Sequence, residues 1–272
     1  MKKNTMTLMA AGVCAAVVAQ AANAAMVAQW DFQTTTNGGT AVAVAATGSN
    51  ANTTPKVYVA NFGSGTLYLD GTNYSSNFYL PATGSTNAEI SGQGGTALNA
   101  TGSMSTTTTS PSALAILGGL PSGSPVTTAA NGKAMVFKFS MTNLQDLVIS
   151  FASQRTSTGF TGIAIDTSAN GTSWSSWTTL TSSYTAGPPI VYSGAILDSF
   201  ANTGVVSLSA TSSLNNASTA YVRFTFTGAT SSSGNNRLDN FQFNASTLVV
   251  PAPGAVALIG LAGMVGSRRR RN

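Results

Sequence analysis

The nine residues AYVRFTFTG, Ala220–Gly228, decide the fold class. Val222, Phe224 and Phe226 alternate with Tyr221, Arg223 and Thr225, so one side of the stretch is wholly apolar and the other mixed. Period-two alternation places the three large apolar residues on one face of a β-strand, whereas a helix would scatter them around its circumference. The same pattern recurs in KAMVFKFS (133–140), where Met135, Phe137 and Phe139 alternate with Val136 and Lys138. It recurs again in LVISFASQR (147–155), with Leu147, Ile149 and Phe151 set against Val148, Ser150 and Ala152.

Outward from these three, further strands are predicted in MVAQWDFQ (26–33), KVYVANF (56–62), TLYLD (66–70), FTGIAID (160–166), WSSWTTL (174–180), GVVSLSA (204–210) and RLDNFQF (237–243). No long 3.6-residue period competes with them. About ten short strands with Gly, Asn and Ser turns between them predict an all-β fold, an antiparallel β-sandwich of jelly-roll type. SANGTSW (168–174) reads as a tight hairpin, because Asn170-Gly171 accommodates positive φ. Residues 71–132, which include the Thr106–Thr109 run, read as an irregular insertion, O-glycosylated or a solvated linker. Within it, SALAILGGLP (112–121) reads as a short helix or a buried loop.

Charged residues make up only 7% of the 272-residue chain, against roughly 25% in an ordinary soluble domain. The formal net charge of +5 comes from the ends. Without Lys2, Lys3 and Arg268–Arg271 the body holds six basic residues against seven acidic ones, which gives no nucleic-acid footprint.

The N-terminus begins with Lys2 and Lys3, continues through an apolar stretch from about Met6 to Val18, and ends in small residues. That is the layout of a secretory signal over 1–24, with Ala22-Asn23-Ala24 as the cleavage site. Its partners would be Sec-type export machinery and signal peptidase. Cys14, the only cysteine, lies inside the expected signal, which leaves the mature domain (25–246) without thiol or disulfide chemistry.

At the other end, 247–272, Val250-Pro251-Ala252-Pro253 precede a strictly apolar run of 13 residues, Gly254–Gly266, and then Arg268, Arg269, Arg270 and Arg271. Extended back to Leu248 the run reaches 19 residues, enough for a short transmembrane helix with its arginines held on the cytoplasmic side. This order of parts resembles the PEP-CTERM sorting signal of bacterial surface and secreted proteins. The resemblance implies recognition of the Pro motif by a membrane-embedded exosortase, a cysteine protease-transpeptidase that processes the tail. Where the family motif carries an acidic residue between its prolines, this chain has Ala252. The interior stretches around Arg155-Thr156, Gly159-Phe160, Arg237 and Asp239-Asn240 are similar to the β-sandwich bodies that accompany such signals, which implies fold and export only.

No histidine occurs anywhere, so Ser-His-Asp catalysis, His-ligated metals and imidazole bases are absent. Carboxylate chemistry remains, as in glycoside hydrolysis, but Asp31, Asp70, Glu89, Asp146, Asp166, Asp198 and Asp239 are scattered singly, mostly beside turns. Two readings of Asp239 stand. In a regular strand it shares a face with Phe241 and Phe243 and needs a partner, Arg237 or a structural Ca²⁺ held together with Asn240. Otherwise it sits at the strand entrance and caps the SSGNN turn.

For ligand binding, Trp174 and Trp177, with Tyr184 and Tyr192, are candidate stacking rings for sugars. A three-residue spacing sends the two tryptophans to opposite faces of a strand, and core burial is expected for one of them and for Trp30. The expectation is an exported, non-enzymatic structural or adhesive protein of the cell surface or extracellular matrix. A carbohydrate-binding module, with extracellular polysaccharide as partner, is the alternative, and a carboxylate-dependent glycosidase the third reading.

Overall fold

The computed structural model describes residues 24–32, 35–37, 40–42, 56–80, 88–96, 98–100, 112–119, 129–181 and 204–248. They belong to one compact unit, Ala24–Leu248. The expected signal apart from Ala24, the Pro motif, the apolar span, the arginine cluster, the threonine run, Tyr184, Tyr192 and Asp198 lie outside the described residues.

The described chain is all-β. Its strands are β1 (Ala24–Trp30), β2 (Thr35–Asn37), β3 (Thr40–Val42), β4 (Val57–Val59), β5 (Phe62–Gly63), β6 (Gly65–Tyr68), β7 (Ile90–Gly94) and β8 (Ser112–Leu117). There follow β9 (Ala134–Phe139), β10 (Leu144–Arg155), β11 (Gly162–Ser168), β12 (Ser175–Thr181), β13 (Gly204–Ser207), β14 (Ala220–Thr227) and β15 (Asn235–Thr247). Two antiparallel sheets form a β-sandwich. Sheet I runs β13-β10-β15-β1-β5, with β8 also paired to β15 and β7 to β8; sheet II runs β12-β11-β14-β9-β6-β4. β2 and β3 form a separate small ribbon.

The alternations that predict strands also orient them. Val222, Phe224 and Phe226 of β14 meet Phe137, Met135 of β9, and Ile163 and Ile165 of β11, on the inner face of sheet II. Leu147, Ile149 and Phe151 of β10 and Phe241 and Phe243 of β15 supply the inner face of sheet I, all inaccessible to solvent. Phe137 is the hub where the layers meet: its ring lies 4.9 Å from Trp30, 5.0 Å from Phe241, 4.8 Å from Phe243 and 5.6 Å from Phe224. Trp30 is buried as expected, and its indole N–H donates to the Tyr58 carbonyl at 3.0 Å. A buried indole needs such an acceptor.

Three expectations are corrected here. Ser112–Leu117 is neither helix nor loop but strand β8: Leu114 and Ile116 enter the core while Ala113 and Ala115 occupy the other face. The alanines make the alternation one of size rather than polarity, which hides it from a hydropathy reading. With β7, it brings part of the expected irregular insertion into sheet I. Second, KVYVANF is two strands in different sheets, β4 in sheet II and β5 in sheet I. Third, the Asn170-Gly171 hairpin is a six-residue loop in which, of the pair, only Gly171 has positive φ (77°). Asn170 works through its side chain, whose Oδ1 accepts the N–H groups of Thr172 and Ser173 at 2.9 and 2.8 Å.

β15 is the organising strand of sheet I. One edge pairs with β10 over most of its length, and the other is divided between β8, at Asn235–Leu238, and β1, at Phe241–Ser246. Between these partners a bulge at Asn240, with φ 49°, lets Asp239 face Ala152 while Gln242 faces Ser150. The extra residue reverses the side-chain parity, so Asp239 and Phe241 point to opposite faces although they are two apart. Asp239 is therefore neither a core-facing strand residue nor a cap at the strand entrance.

Candidate functional site

Among the described residues, the predicted site residues Asp239, Asn240 and Trp174 fall in two places on the sandwich. The first is the bulge itself, on the outer face of sheet I. The Asp239 carboxylate accepts the N–H of Asn240 at 2.9 Å and that of Thr96 at 2.8 Å. Asn240 in turn donates its amide to the carbonyls of Thr96 and Leu98 at 2.6 and 2.8 Å, and Gln242 donates to the carbonyl of Asn99. Asn99 answers with bonds to the Asn240 carbonyl at 2.8 Å and to Ser150 Oγ at 3.1 Å. Both Asp239 and Asn240 are wholly buried. This is a clasp: it fastens the Thr96–Asn99 segment across the stretch of β15 that neither β1 nor β8 covers. Among the described residues no group of three or more His, Cys, Asp or Glu is placed to hold a metal ion.

The second place lies on the outer face of sheet II. Asp166 on β11 is directly opposite Arg223 on β14, and the adjacent row runs Ser168, Tyr221, Lys138 and Thr66 across four strands. Arg223 Nε and Nη2 both donate to Asp166 Oδ2, at 3.2 and 2.8 Å. The same guanidinium lies 4.1 Å from the centre of the Trp174 ring, a cation–π contact that fixes the indole against the sheet. Trp174 is half-buried, at the end of the β11–β12 loop.

Tyr74 completes the group from a loop 100 positions earlier. Its ring is edge-on to Tyr221 at 5.4 Å and to Trp174 at 6.4 Å, and its hydroxyl donates to the Asn170 carbonyl at 3.3 Å. Gly171 makes room for it, because a Cβ there would fall 1.8 Å from Tyr74 Cε2. Yet Tyr74 remains 48% exposed. Its backbone is also strained: Asn73 and Tyr74 are consecutive left-handed residues, with φ 47° and 69°. Such a conformation costs an L-residue roughly 1–2 kcal/mol, and for a bulky ring it is an outlier. The loop is braced from within to hold it. Asp70 Oδ1 accepts both the N–H and the hydroxyl of Thr72, Ser75 N–H donates to the Thr72 carbonyl, and Ser76 N–H donates to the Ala134 carbonyl of sheet II.

Lys138 stands on the far side of Tyr221. Its ammonium lies 5.8 Å from the Tyr221 ring centre and donates to Asn73 Oδ1 at 3.2 Å.

Of the residues predicted to stack on sugars, Trp174 belongs to this cluster and Trp177 does not. Trp177 packs against the core and donates its indole N–H to the Ser209 carbonyl at 3.1 Å. Trp174 lies in the loop before β12 and a register shift falls at Trp177, so the parity of a regular strand does not decide where the two rings point. Tyr74, Tyr221 and Lys138 escaped the sequence reading; the one local signal was a tyrosine in the turn-forming stretch DGTNYSS (70–76).

Three further acids have structural partners. Asp70 braces its own loop, Asp166 pairs with Arg223, and Glu89, nearly inaccessible, pairs with Lys133 and accepts the Tyr79 N–H at 2.6 Å. Asp146 sits at a second bulge, in β10, with φ 55°. Burial raises the phenol pKa of Tyr58, deep in the core, well above its ordinary value.

No known family's profile matches the chain, and no curated protein matches it. Solved structures similar to it include TmCBM61 in complex with beta-1,4-galactotriose, 9% identical over 57% of this chain and 81% of that one, with a TM-score of 0.30. The K1 cleaved adhesin domain of Lys-gingipain from Porphyromonas gingivalis W83 is 14% identical over 57% and 82%, with a TM-score of 0.31. A non-crystalline cellulose specific carbohydrate-binding module, CBM28, is 11% identical over 50% and 77%, with a TM-score of 0.27.

Proposed function

We propose that this chain is an exported, non-enzymatic β-sandwich that binds carbohydrate on the outer face of sheet II and serves at the cell surface or in the extracellular matrix. The observation that carries the reading is Tyr74: a strained, internally braced backbone holds a half-exposed aromatic ring beside half-buried Trp174. Strain persists where the surrounding structure over-determines it, and it clusters at ligand clamps. A rigid, preset ring loses little entropy when a flat sugar face stacks on it. The flanking Asp166, Arg223, Asn73 and Asn170 bring hydrogen-bonding groups close to the rings.

The jelly-roll wiring is supported by the strand order β1-β15-β10-β13 in one sheet and β9-β14-β11-β12 in the other, which alternates the chain between layers. Delivery rests on the sequence: the Lys2/Lys3 signal with its Ala22 and Ala24 cleavage site, and the Val250–Pro253 motif, apolar run and Arg268–Arg271 cluster read as a PEP-CTERM-like tail for an exosortase-like transpeptidase. The test of binding is affinity electrophoresis of the purified domain in gels containing a panel of polysaccharides. Retention by at least one, weakened about tenfold by Tyr74→Ala at unchanged fold, is expected. Free migration in every gel, or equal retention of the variant, would refute the site.

A further inference from the structure

The ligand's charge can be inferred as well, on the premise that the Tyr74 surface binds carbohydrate. The body of this protein is sparing with charge, and the described residues of the site include two cations in different circumstances. Arg223 is engaged twice, by the Asp166 carboxylate and by the Trp174 ring, and so acts as a positioning residue for the indole. Lys138 has no acidic partner among the described residues; its ammonium rests against the neutral Asn73 amide and the Tyr221 ring, and is only partly buried. A lysine set in the middle strands of a sheet loses hydration and rotamer freedom without gaining a counter-charge, and an alkyl or hydroxyl side chain would hold the same position at less cost.

Its placement relative to the exposed ring is specific. Tyr74 and the Lys138 ammonium each lie within 6 Å of one ring, that of Tyr221, and Asn73 joins them directly, because its backbone precedes Tyr74 and its amide holds the ammonium. The left-handed turn at Asn73 and Tyr74 thus sets the stacking ring and the cation in one fixed relation. From this geometry we propose that the surface selects acidic polysaccharides, with one sugar stacked on Tyr74 and the carboxylate of a nearby uronic acid received by Lys138. The ammonium keeps its bond to Asn73 and has further N–H groups, one of which would donate to the carboxylate, so that both donor and acceptor are ionised.

The experiment compares polygalacturonate with its fully methyl-esterified form, which keeps the sugar backbone and removes the charge, by isothermal titration of the purified domain at low salt. About tenfold tighter binding of the acidic form is expected, with the preference shrinking as added salt screens it. Lys138→Gln should bring the ratio of the two affinities to about one, and Lys138→Arg should restore it, with circular dichroism and melting temperature confirming that both variants fold. Equal affinity of the unaltered protein for the two forms overturns the acidic preference and leaves the carbohydrate site standing. A preference that survives in Lys138→Gln overturns the role of Lys138. Binding of neither form, together with free migration through the whole polysaccharide panel, ends the carbohydrate reading itself.

Discussion

Replacing Tyr58 with Phe isolates one buried phenol and turns it into a pH measurement. Tyr58 is inaccessible in the native state, and its ring lies edge-on to Phe32 at 5.3 Å, so the change removes one oxygen and keeps the packing. Burial raises the phenol pKa above the ordinary value of 10.0, because the phenolate would have no water around it. The unfolded chain, with its pKa near the ordinary value, releases this proton first as pH rises. Between the two pKa values the unfolded state therefore binds fewer protons than the native state, and native stability falls. Below the ordinary pKa both states are protonated and the contribution is intact. With a single group ionising only in the unfolded state, the loss is about 0.4 kcal/mol at pH 10 and about 1.4 kcal/mol at pH 11, approaching 1.4 kcal/mol for each further unit. Urea unfolding of wild type and Tyr58→Phe at pH 7, 9, 10 and 11 reads the difference, since the two proteins differ at that phenol alone. Wild type should lose these amounts relative to the variant. At pH 7 the variant should be at least as stable, because the hydroxyl finds no hydrogen-bond partner among the described residues. Parallel profiles up to pH 11 would refute the argument, for they would mean that the native phenol ionises as readily as the unfolded one.

Two other outcomes are open to direct test. Gly171→Ala places a methyl group within the Tyr74 ring and asks an alanine to hold φ 77°; it should lower stability by about 1 kcal/mol, read as a shift in melting temperature, and remove Tyr74-dependent polysaccharide retention, whereas unchanged retention would show that the ring's seat is irrelevant. Mass spectrometry of the native protein's C-terminus should find a chain ending near Val250–Pro253, and an intact Arg268–Arg271 tail on the mature form would refute processing by an exosortase-like enzyme.

Strands with a polar face were legible before any coordinates, because Phe224 beside Arg223 or Phe137 beside Lys138 announces both period and orientation. β8 was not, since Leu114 and Ile116 alternate with alanines and an apolar run of unequal sizes mimics a helix or a buried loop. Asp239 misled for a different reason. A parity argument assumes a regular strand, and one left-handed asparagine at 240 inverts every inference drawn across it. At the outer surface of sheet II, Trp174 stood out because tryptophan is rare in this chain, while Tyr74 and Lys138 gain their meaning from neighbours brought from distant parts of the sequence. Local pattern reports which way a side chain points; it does not report who arrives opposite.

The arrangement of β15 bears on how such a domain would stand up to pulling. β15 is 13 residues long, lies between β10 on one side and β1 and β8 on the other, and ends at Thr247. A tug along its axis from that end would load its backbone hydrogen bonds to both flanks side by side, in shear, so that many must fail together instead of opening one after another like a zip. β1, the first strand, is among those that would share the load, and its antiparallel pairing puts the opposite end of the domain, Ala24, next to Ser246. A protein held to a surface by its tail in moving water would meet force from that direction first.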